Sequence, residues 1–171
     1  MAFGPGYLAI ELARLGRVQR IGLDISHTFV KIASQNAKDA GVTADFHQGD
    51  AAAMPFEAES FDLIVGQAAF KNFVHPGSAL AEMYRVLRGG GTALIQDMSS
   101  EASHADIERE VGAMQLGPVS TFTTKGTLEM LKRRAYSPAK FERLAAESPF
   151  GTCTINTEGI GLEVRLEKPV A

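Results

Sequence analysis

Two glycines near the start of the chain and an aspartate form the first candidate site. Gly4 and Gly6 flank Pro5, and Asp24 follows at the end of an apolar run, 20 residues after Gly4. Glycines between a strand and a helix let the backbone turn tightly and approach a ligand, and an acid at this spacing can accept hydrogen bonds from ribose hydroxyls. The spacing therefore indicates a nucleotide site, although an ordinary glycine turn and a strand-end aspartate explain it equally well.

Histidines are the other side chains whose type suggests chemistry. His47 and His75 are candidate general bases. His75 falls in a predicted loop and His47 in a predicted strand, so a structural role is the favoured interpretation for both. With His27 and His104 they show no spacing typical of a metal site, so no metal is predicted. We assign no catalytic residue from the sequence.

The elements that must position these residues alternate between short apolar strands and helical segments. This pattern is typical of a mostly parallel sheet covered by helices on both faces. Gly89, Gly90 and Gly91 predict a turn into a buried strand, and a final pair of strands around residues 157–159 predicts a hairpin at a sheet edge. The predicted strands are 18–25, 43–47, 61–65, 92–96, 151–156 and 160–166, and the predicted helices are 7–15, 26–40, 78–87, 102–116, 126–134 and 138–147.

Composition limits the classes of protein. A chain of 171 residues with 45% hydrophobic content can bury one core and is too short for two ordinary domains, so a single domain over residues 1–171 is predicted. A net charge of -3 gives no electrostatic case for binding nucleic acid or an anionic membrane. No apolar run approaches the ~20 residues of a membrane span. The lone Cys153 fits a reducing compartment, so we predict a soluble, cytoplasmic protein.

Five short segments form an ordered series along the chain. They are Gly4-Pro5-Gly6, residues 22–26, residues 49–51 with 54–56, residues 60–65 and residues 85–91. The series resembles class I S-adenosylmethionine-dependent methyltransferases, most of all those that act on small molecules. The resemblance covers residues 1 to about 98, and the predicted hairpin matches the family's antiparallel last strand. It implies a Rossmann-like, doubly wound sheet, S-adenosylmethionine as cofactor, and methyl transfer to a small-molecule acceptor.

The resemblance also implies roles for residues at the carboxyl ends of the predicted strands, where open α/β sheets bind ligands. Gly4 and Gly6 would lie against the methionine and ribose part of the cofactor. Asp24 would hold the two ribose hydroxyls, and Ile25 would pack on the adenine. A general base is optional in this chemistry, because the cofactor supplies the reactive carbon and the protein mainly aligns the partners.

Three further residues follow the next two strands. By the same resemblance, Asp50 would accept a hydrogen bond from the adenine amino group, and Ala51 would donate its backbone N–H to the ring. Gln67 would contact the methionyl portion. The alternatives are that Asp50 only caps a turn and that Gln67 is an ordinary polar residue at a strand end.

The chain departs from the family at its start. Ala2 stands where the first glycine is expected, and the strand and acid that should precede it are missing. That strand would be the central one, between the strands that end at Asp24 and at Val65. Without it, backbone groups of both neighbours lose partners, at about 1 to 3 kcal/mol for each buried group. Our leading hypothesis is an N-terminally incomplete form of an active enzyme.

Two other classes of protein stay open. Residues 4–9 also satisfy the dinucleotide pattern of an NAD(P)-dependent oxidoreductase, although that fold requires neither the 49–51 segment nor the hairpin. The second alternative is a non-catalytic remnant that serves as a binding or assembly module and borrows a strand from a partner. A homo-oligomer is therefore left open.

The acceptor itself is not defined by the sequence. An apolar acceptor pocket could be lined by residues 114–122 together with the aromatic residues Phe70, Phe73 and Phe122. The favoured interpretation is that these aromatic side chains pack in the core. Met114, Met130 and Leu131 are predicted to be core residues as well.

Overall fold

The computed structural model describes residues 4–14 and 19–170. The departure at Ala2, the end of the first predicted helix at 15–16 and the start of the first predicted strand at Val18 lie outside the described residues. A short 3-10 helix occupies Phe70–Asn72. The elements in chain order are α1 (Tyr7–Arg14), β1 (Ile21–Asp24), α2 (His27–Asp39), β2 (Asp45–Gln48), β3 (Phe61–Gln67), α3 (Pro76–Val86), β4 (Leu87–Met98), α4 (His104–Ala113), α5 (Pro118–Lys132), α6 (Pro138–Ala146), β5 (Thr154–Glu158) and β6 (Gly161–Glu167).

The strands form two sheets. β1 and β2 pair in parallel, and the second sheet has the order β3-β4-β6-β5. β3 and β4 are parallel, whereas β6 runs antiparallel to both β4 and β5. The predicted α/β fold with a closing antiparallel hairpin is therefore confirmed. Among residues 4–14 and 19–170 no ladder joins β1 to β3, which is the place where the sequence predicts an interruption.

One hydrophobic cluster connects the two sheets. Leu23 of β1 and Ile64 of β3 both belong to it, together with residues of β4, β6, α3 and α6. Phe70 packs at its centre, 4.8 Å from the Phe141 ring and 5.2 Å from the Phe73 ring between centroids. Phe70 is only 2% exposed. Phe70 and Phe73 therefore pack in the core, as the favoured interpretation predicts, whereas Phe122 is 79% exposed, so that interpretation is wrong for Phe122.

The glycine run of β4 differs from the prediction. β4 begins at Leu87, which pairs with Phe61 of β3. The next pair is Thr92 with Leu63, so the register shifts between these two pairs. Residues 89–91 therefore form a bulge inside the strand, and the predicted turn before the strand is wrong. Glycine suits the bulge because Gly90 has a φ of +80° and a Cβ at Gly91 would lie 2.9 Å from a backbone oxygen.

The helices after β4 also correct the prediction. α5 begins at Pro118, eight residues before the predicted start at 126, because proline at the first turn of a helix loses no hydrogen bond. α5 buries no residue fully. Met114 is 44% exposed and Met130 is 61% exposed, so their predicted core positions are wrong. None of the helices in the described ranges is long and apolar enough to cross a membrane.

Candidate cofactor site

The glycine turn before α1 lies against α2. Gly4 and Gly6 have φ values of +51° and +83°, which favour glycine. A Cβ at Gly6 would lie 2.8 Å from the Cβ of Ala33, so any larger residue would push the turn off the helix. Asn36 of α2 donates a side-chain hydrogen bond to the Pro5 carbonyl at 2.9 Å. The turn is thus seated on α2 by close packing and by one hydrogen bond.

Asp24 at the end of β1 is bound to this turn. Its carboxylate accepts the backbone N–H of Gly4 at 3.2 Å and that of Ser26 at 2.9 Å. The residue is only 6% exposed. A carboxylate offers about four acceptor positions, so two protein donors leave room for two more. The structure therefore brings Gly4 and Asp24 together, and the remaining positions suit a pair of hydroxyl groups.

The end of β2 lies beside the end of β1. The Gly49 backbone N–H donates to the Asp24 carbonyl at 2.9 Å. The next residue, Asp50, is exposed, and its carboxylate accepts the Ala52 N–H at 2.9 Å. Asp50 thus caps a turn here, in agreement with the alternative interpretation, and its second oxygen can still accept a ligand donor. Ile25 is 70% exposed at the same edge.

An ion pair that the sequence analysis missed anchors the loop after Asp50. Glu82 and Arg85 of α3 bond each other at 2.7 Å. Glu82 also accepts the Met54 N–H at 2.7 Å, and Arg85 donates to the Phe56 carbonyl at 2.9 Å. The hydrogen bond from Arg85 holds the pKa of Glu82 below its ordinary value, against the opposing effect of burial. Glu–Arg spacing of three residues on a predicted helix was the available signal.

Gln67 lies at the end of β3, on the other sheet. Its side-chain amide donates to Gln96 at 2.9 Å, and Gln96 donates to Glu163 at 2.8 Å. Gly66 before it is buried, and a Cβ built there would meet no atom of residues 4–14 and 19–170 within 4 Å. Because successive side chains of a strand point to opposite faces of the sheet, this position is on the other face from Gln67. The structure gives no contact between Gln67 and Asp24, which belong to separate sheets.

A second ion pair, which is buried, lies near the ends of β3 and β4. The ammonium of Lys71 lies 2.6 Å from the carboxylate of Asp97, and their side chains are 5% and 7% exposed. The two residues are 26 positions apart, so no local spacing could predict the pair. A cleft of about 240 Å³ next to Gln96 and Asp97 contains none of the predicted cofactor residues.

The histidines occupy structural or surface positions. His47 packs edge-on against the Phe56 ring, 5.7 Å between centroids, and His75 precedes α3 without a capping side-chain bond. His104 lies 3.0 Å from Glu129 on the helix pair α4–α5. Within the described parts of the chain, no three His, Cys, Asp or Glu side chains are grouped to hold a metal ion.

These features together define a class of protein. A glycine turn, a buried strand-end acid and further polar residues at the carboxyl ends of parallel strands make a Rossmann-like fold with a nucleotide-type site. The family described as methyltransferase domain matches residues 1–95, which is more than half of the chain. The chain belongs to this family.

Individual relatives agree with this assignment. Demethylmenaquinone methyltransferase of Deinococcus radiodurans is 35% identical over 60% of this chain and 43% of its own length. The ubiquinone/menaquinone biosynthesis C-methyltransferase UbiE of Xylella fastidiosa strain 9a5c is 32% identical over 86% of this chain and 56% of its own length. The chain thus spans about half the length of these two relatives.

A solved structure supports the fold. The candidate S-adenosyl-L-methionine-dependent methyltransferase of Methanococcus maripaludis superimposes with a TM-score of 0.74. The match covers 99% of this chain and 76% of that chain, at 24% identity. The Rossmann-like architecture predicted from the sequence is therefore confirmed.

Proposed function

We propose that this protein binds S-adenosylmethionine and transfers its methyl group to a small-molecule acceptor. The observation that carries the proposal is the Asp24 carboxylate, 6% exposed and bonded to Gly4, in a chain of the methyltransferase domain family. A nearly buried acid is costly to keep ionised without partners. Two backbone donors stabilise it, and a ribose diol would fill its two remaining acceptor positions.

The residues around Asp24 fit the rest of the cofactor. Among residues 4–14 and 19–170, no atom lies within 4 Å of where a Gly4 Cβ would be, which suits a ligand that approaches the backbone. Gly6 holds the turn onto α2. Ile25 presents an exposed apolar side chain at the same edge, which suits the face of an adenine ring. We assign Gly4 and Gly6 to the methionine and ribose part, Asp24 to the hydroxyls and Ile25 to the base.

The other two strand ends complete the assignment. Asp50 would accept a hydrogen bond from the adenine amino group with its second oxygen, while its first oxygen keeps the hydrogen bond from the Ala52 N–H. Ala51 would donate its backbone N–H to the adenine ring. The Glu82–Arg85 pair fixes the loop that follows these two residues. Gln67, at the carboxyl end of β3, would contact the methionyl portion.

S-adenosylmethionine supplies an electrophilic methyl group on a sulfonium. The acceptor atom would form a bond to this carbon as the sulfur–carbon bond breaks, which would leave S-adenosylhomocysteine and release a proton from the acceptor to solvent or to a base. The residues of this chain serve to align the two partners and to exclude water, and we assign none of them as a base.

An apolar, quinol-type acceptor suits the surface near this site. The helix pair α4–α5 follows the carboxyl end of β4, the same end at which Gln67 lies. The first turns of α5 expose Val119 and Phe122, which are three residues apart on one helix face, by 78% and 79%, and Met114 between α4 and α5 is 44% exposed. Apolar side chains grouped in this way typically mark a binding surface. The two relatives described above are named for demethylmenaquinone and for ubiquinone/menaquinone biosynthesis, which gives the acceptor class its support.

We also propose that the whole chain acts as one cytoplasmic domain without a nucleic-acid or membrane partner. The core cluster that includes Leu23 of one sheet and Ile64 of the other supports the single domain. The net charge of -3 supports the second part of this proposal, because it provides no general electrostatic attraction to nucleic acid or to an anionic membrane.

The acceptor proposal is tested by incubating the protein with S-adenosylmethionine and a short-chain demethylmenaquinol, followed by mass spectrometry. We expect the quinol to gain one CH₂ unit while S-adenosylhomocysteine accumulates. Phe122→Ser should raise KM for the quinol, and Val170→Ser, another exposed apolar position, should not. Binding of S-adenosylhomocysteine without quinol methylation would reject the acceptor class and leave the cofactor assignment standing.

A further inference from the structure

Ala68, directly after Gln67, has an unusual backbone conformation. Its φ is +51°, in the left-handed region that non-glycine residues rarely adopt. Two hydrogen bonds hold it there. The Ala68 N–H donates to the Gln96 carbonyl at 2.7 Å, and the Ala68 carbonyl accepts the Lys71 ammonium at 2.7 Å. Strained backbone of this kind persists only where the surroundings enforce it, and it concentrates at functional sites.

Asp97 fixes the Lys71 side chain that completes this turn. Its carboxylate binds the Lys71 ammonium at 2.6 Å and the Lys71 backbone N–H at 3.1 Å. The same carboxylate accepts the Met98 N–H at 2.8 Å. Lys71 is thereby held at its backbone and at its charged end, and it connects the Ala68 carbonyl to the end of β4.

Stability alone is a weak reason for such a pair. A buried ion pair loses the hydration of both charges, and apolar residues of similar volume often serve stability as well or better. Lys71 and Asp97 are both nearly buried. Asp97 lies at the end of β4 and Lys71 lies four residues after Gln67, so the pair is placed to fix the backbone at the carboxyl end of β3, which points to a role in presenting the site.

We propose that Lys71 and Asp97 are positioning residues for methyl transfer. They hold Ala68 in its left-handed conformation, so that the chain turns away directly after Gln67 and the Gln67 side chain stays at the carboxyl end of β3, bonded to Gln96. They act through Ala68 and do not touch the reacting atoms. This inference rests on the proposed function, in which Gln67 contacts the methionyl part of the cofactor.

The test measures the affinity for S-adenosylhomocysteine by calorimetry, together with the thermal midpoint of unfolding. Lys71→Met removes the bond to the Ala68 carbonyl, so ligand binding must restore the strained turn. We expect Kd to rise about 5- to 150-fold, the range that corresponds to the cost of one strained residue. The matched control is Lys125→Met, which removes the ion pair between Lys125 and Glu108 on α4–α5 and should leave Kd unchanged.

A second substitution separates positioning from a merely structural role. Glycine adopts a positive φ without strain, so Ala68→Gly in the Lys71→Met background should restore Kd to within about threefold of the wild-type value. Unchanged Kd in Lys71→Met, with only a lower thermal midpoint, would overturn the inference. Failure of Ala68→Gly to restore affinity would overturn it as well.

Asp97→Asn keeps the shape of the side chain, and it replaces Lys71→Met as the test variant if Lys71→Met does not fold. It should weaken binding in the same direction, with the same rescue by Ala68→Gly, and wild-type affinity in Asp97→Asn would contradict the inference. If the wild-type protein itself fails to bind S-adenosylhomocysteine, the proposed function fails and the inference falls with it. Wild-type binding with unaffected variants rejects the inference alone.

Discussion

The Gly4 N–H lies 3.2 Å from the Asp24 carboxylate, although 20 residues separate the two in the chain. This hydrogen bond joins the glycine turn to the end of β1, and the Gly49 N–H brings the end of β2 to the same point. Three segments that are distant in sequence thus meet at one carboxylate. The proposed cofactor site depends on this meeting point.

Gly6→Ala should destabilise the protein. A left-handed backbone at alanine costs about 1 to 2 kcal/mol, and overpacking against Ala33, 2.8 Å away, costs about 1 to 3 kcal/mol. We expect the free energy of unfolding to fall by about 2 to 5 kcal/mol in urea denaturation.

The control for this substitution is Gly77→Ala in the first turn of α3, where a Cβ would meet no atom of the described residues within 4 Å. It should leave stability equal or slightly higher. Ala33→Gly combined with Gly6→Ala should cost less than the sum of the two single substitutions. Additive costs would show that Gly6 and Ala33 are not in contact.

Glu82→Gln should destabilise the protein in a pH-dependent way. The pKa of Glu82 is lowered in the folded state from its ordinary value of 4.5, mainly by the Arg85 hydrogen bond. The ionised carboxylate therefore contributes stability above that value and loses this contribution as the pH falls through the lowered pKa. Because the pair is partly exposed, we expect a loss of about 1 to 2 kcal/mol near neutral pH.

Urea denaturation over a series of pH values checks this expectation. The difference between Glu82→Gln and the wild-type protein should shrink below pH 4.5. Glu110→Gln, an exposed position on α4, is the control and should show little change. A difference that stays constant with pH would mean that the Glu82 charge does not stabilise the loop at Met54.

Phe70→Ala and Phe122→Ala should differ sharply in stability. Phe70 is 2% exposed among three aromatic rings, so its loss opens a cavity and costs about 3 to 5 kcal/mol. Phe122 is 79% exposed, and its loss should change stability by less than about 0.5 kcal/mol. Thermal unfolding of both variants measures this contrast. Similar destabilisation by the two substitutions would show that Phe122 is a core residue.

The sequence predicts most of the fold because each strand of the second sheet has a local apolar pattern. The strand predicted at 61–65 is observed as Phe61–Gln67, and the closing hairpin lies at the predicted edge with β5 outermost. The bulge at 89–91 was not predictable, since strand register depends on the partner strand and not on local pattern. The exposure of Met130 likewise depends on which elements cover α5.

The residues of the candidate site also fall into those that the sequence predicts and those that it does not. Glycine spacing and a strand-end acid suffice to place Gly4 and Asp24 together, because the motif belongs to one turn–helix–strand unit. The Lys71–Asp97 pair joins side chains 26 residues apart on different elements. Its existence follows only from the parallel pairing of β3 with β4, which no local pattern specifies.

The central claim is most directly tested by calorimetric titration of the 171-residue protein with S-adenosylhomocysteine. Our account predicts saturable binding with one site in the wild-type protein, loss of that binding in Asp24→Ala, and its retention in Asp45→Ala, an exposed position on β2. Absence of binding by the wild-type protein, or equal affinity in Asp24→Ala, would contradict it.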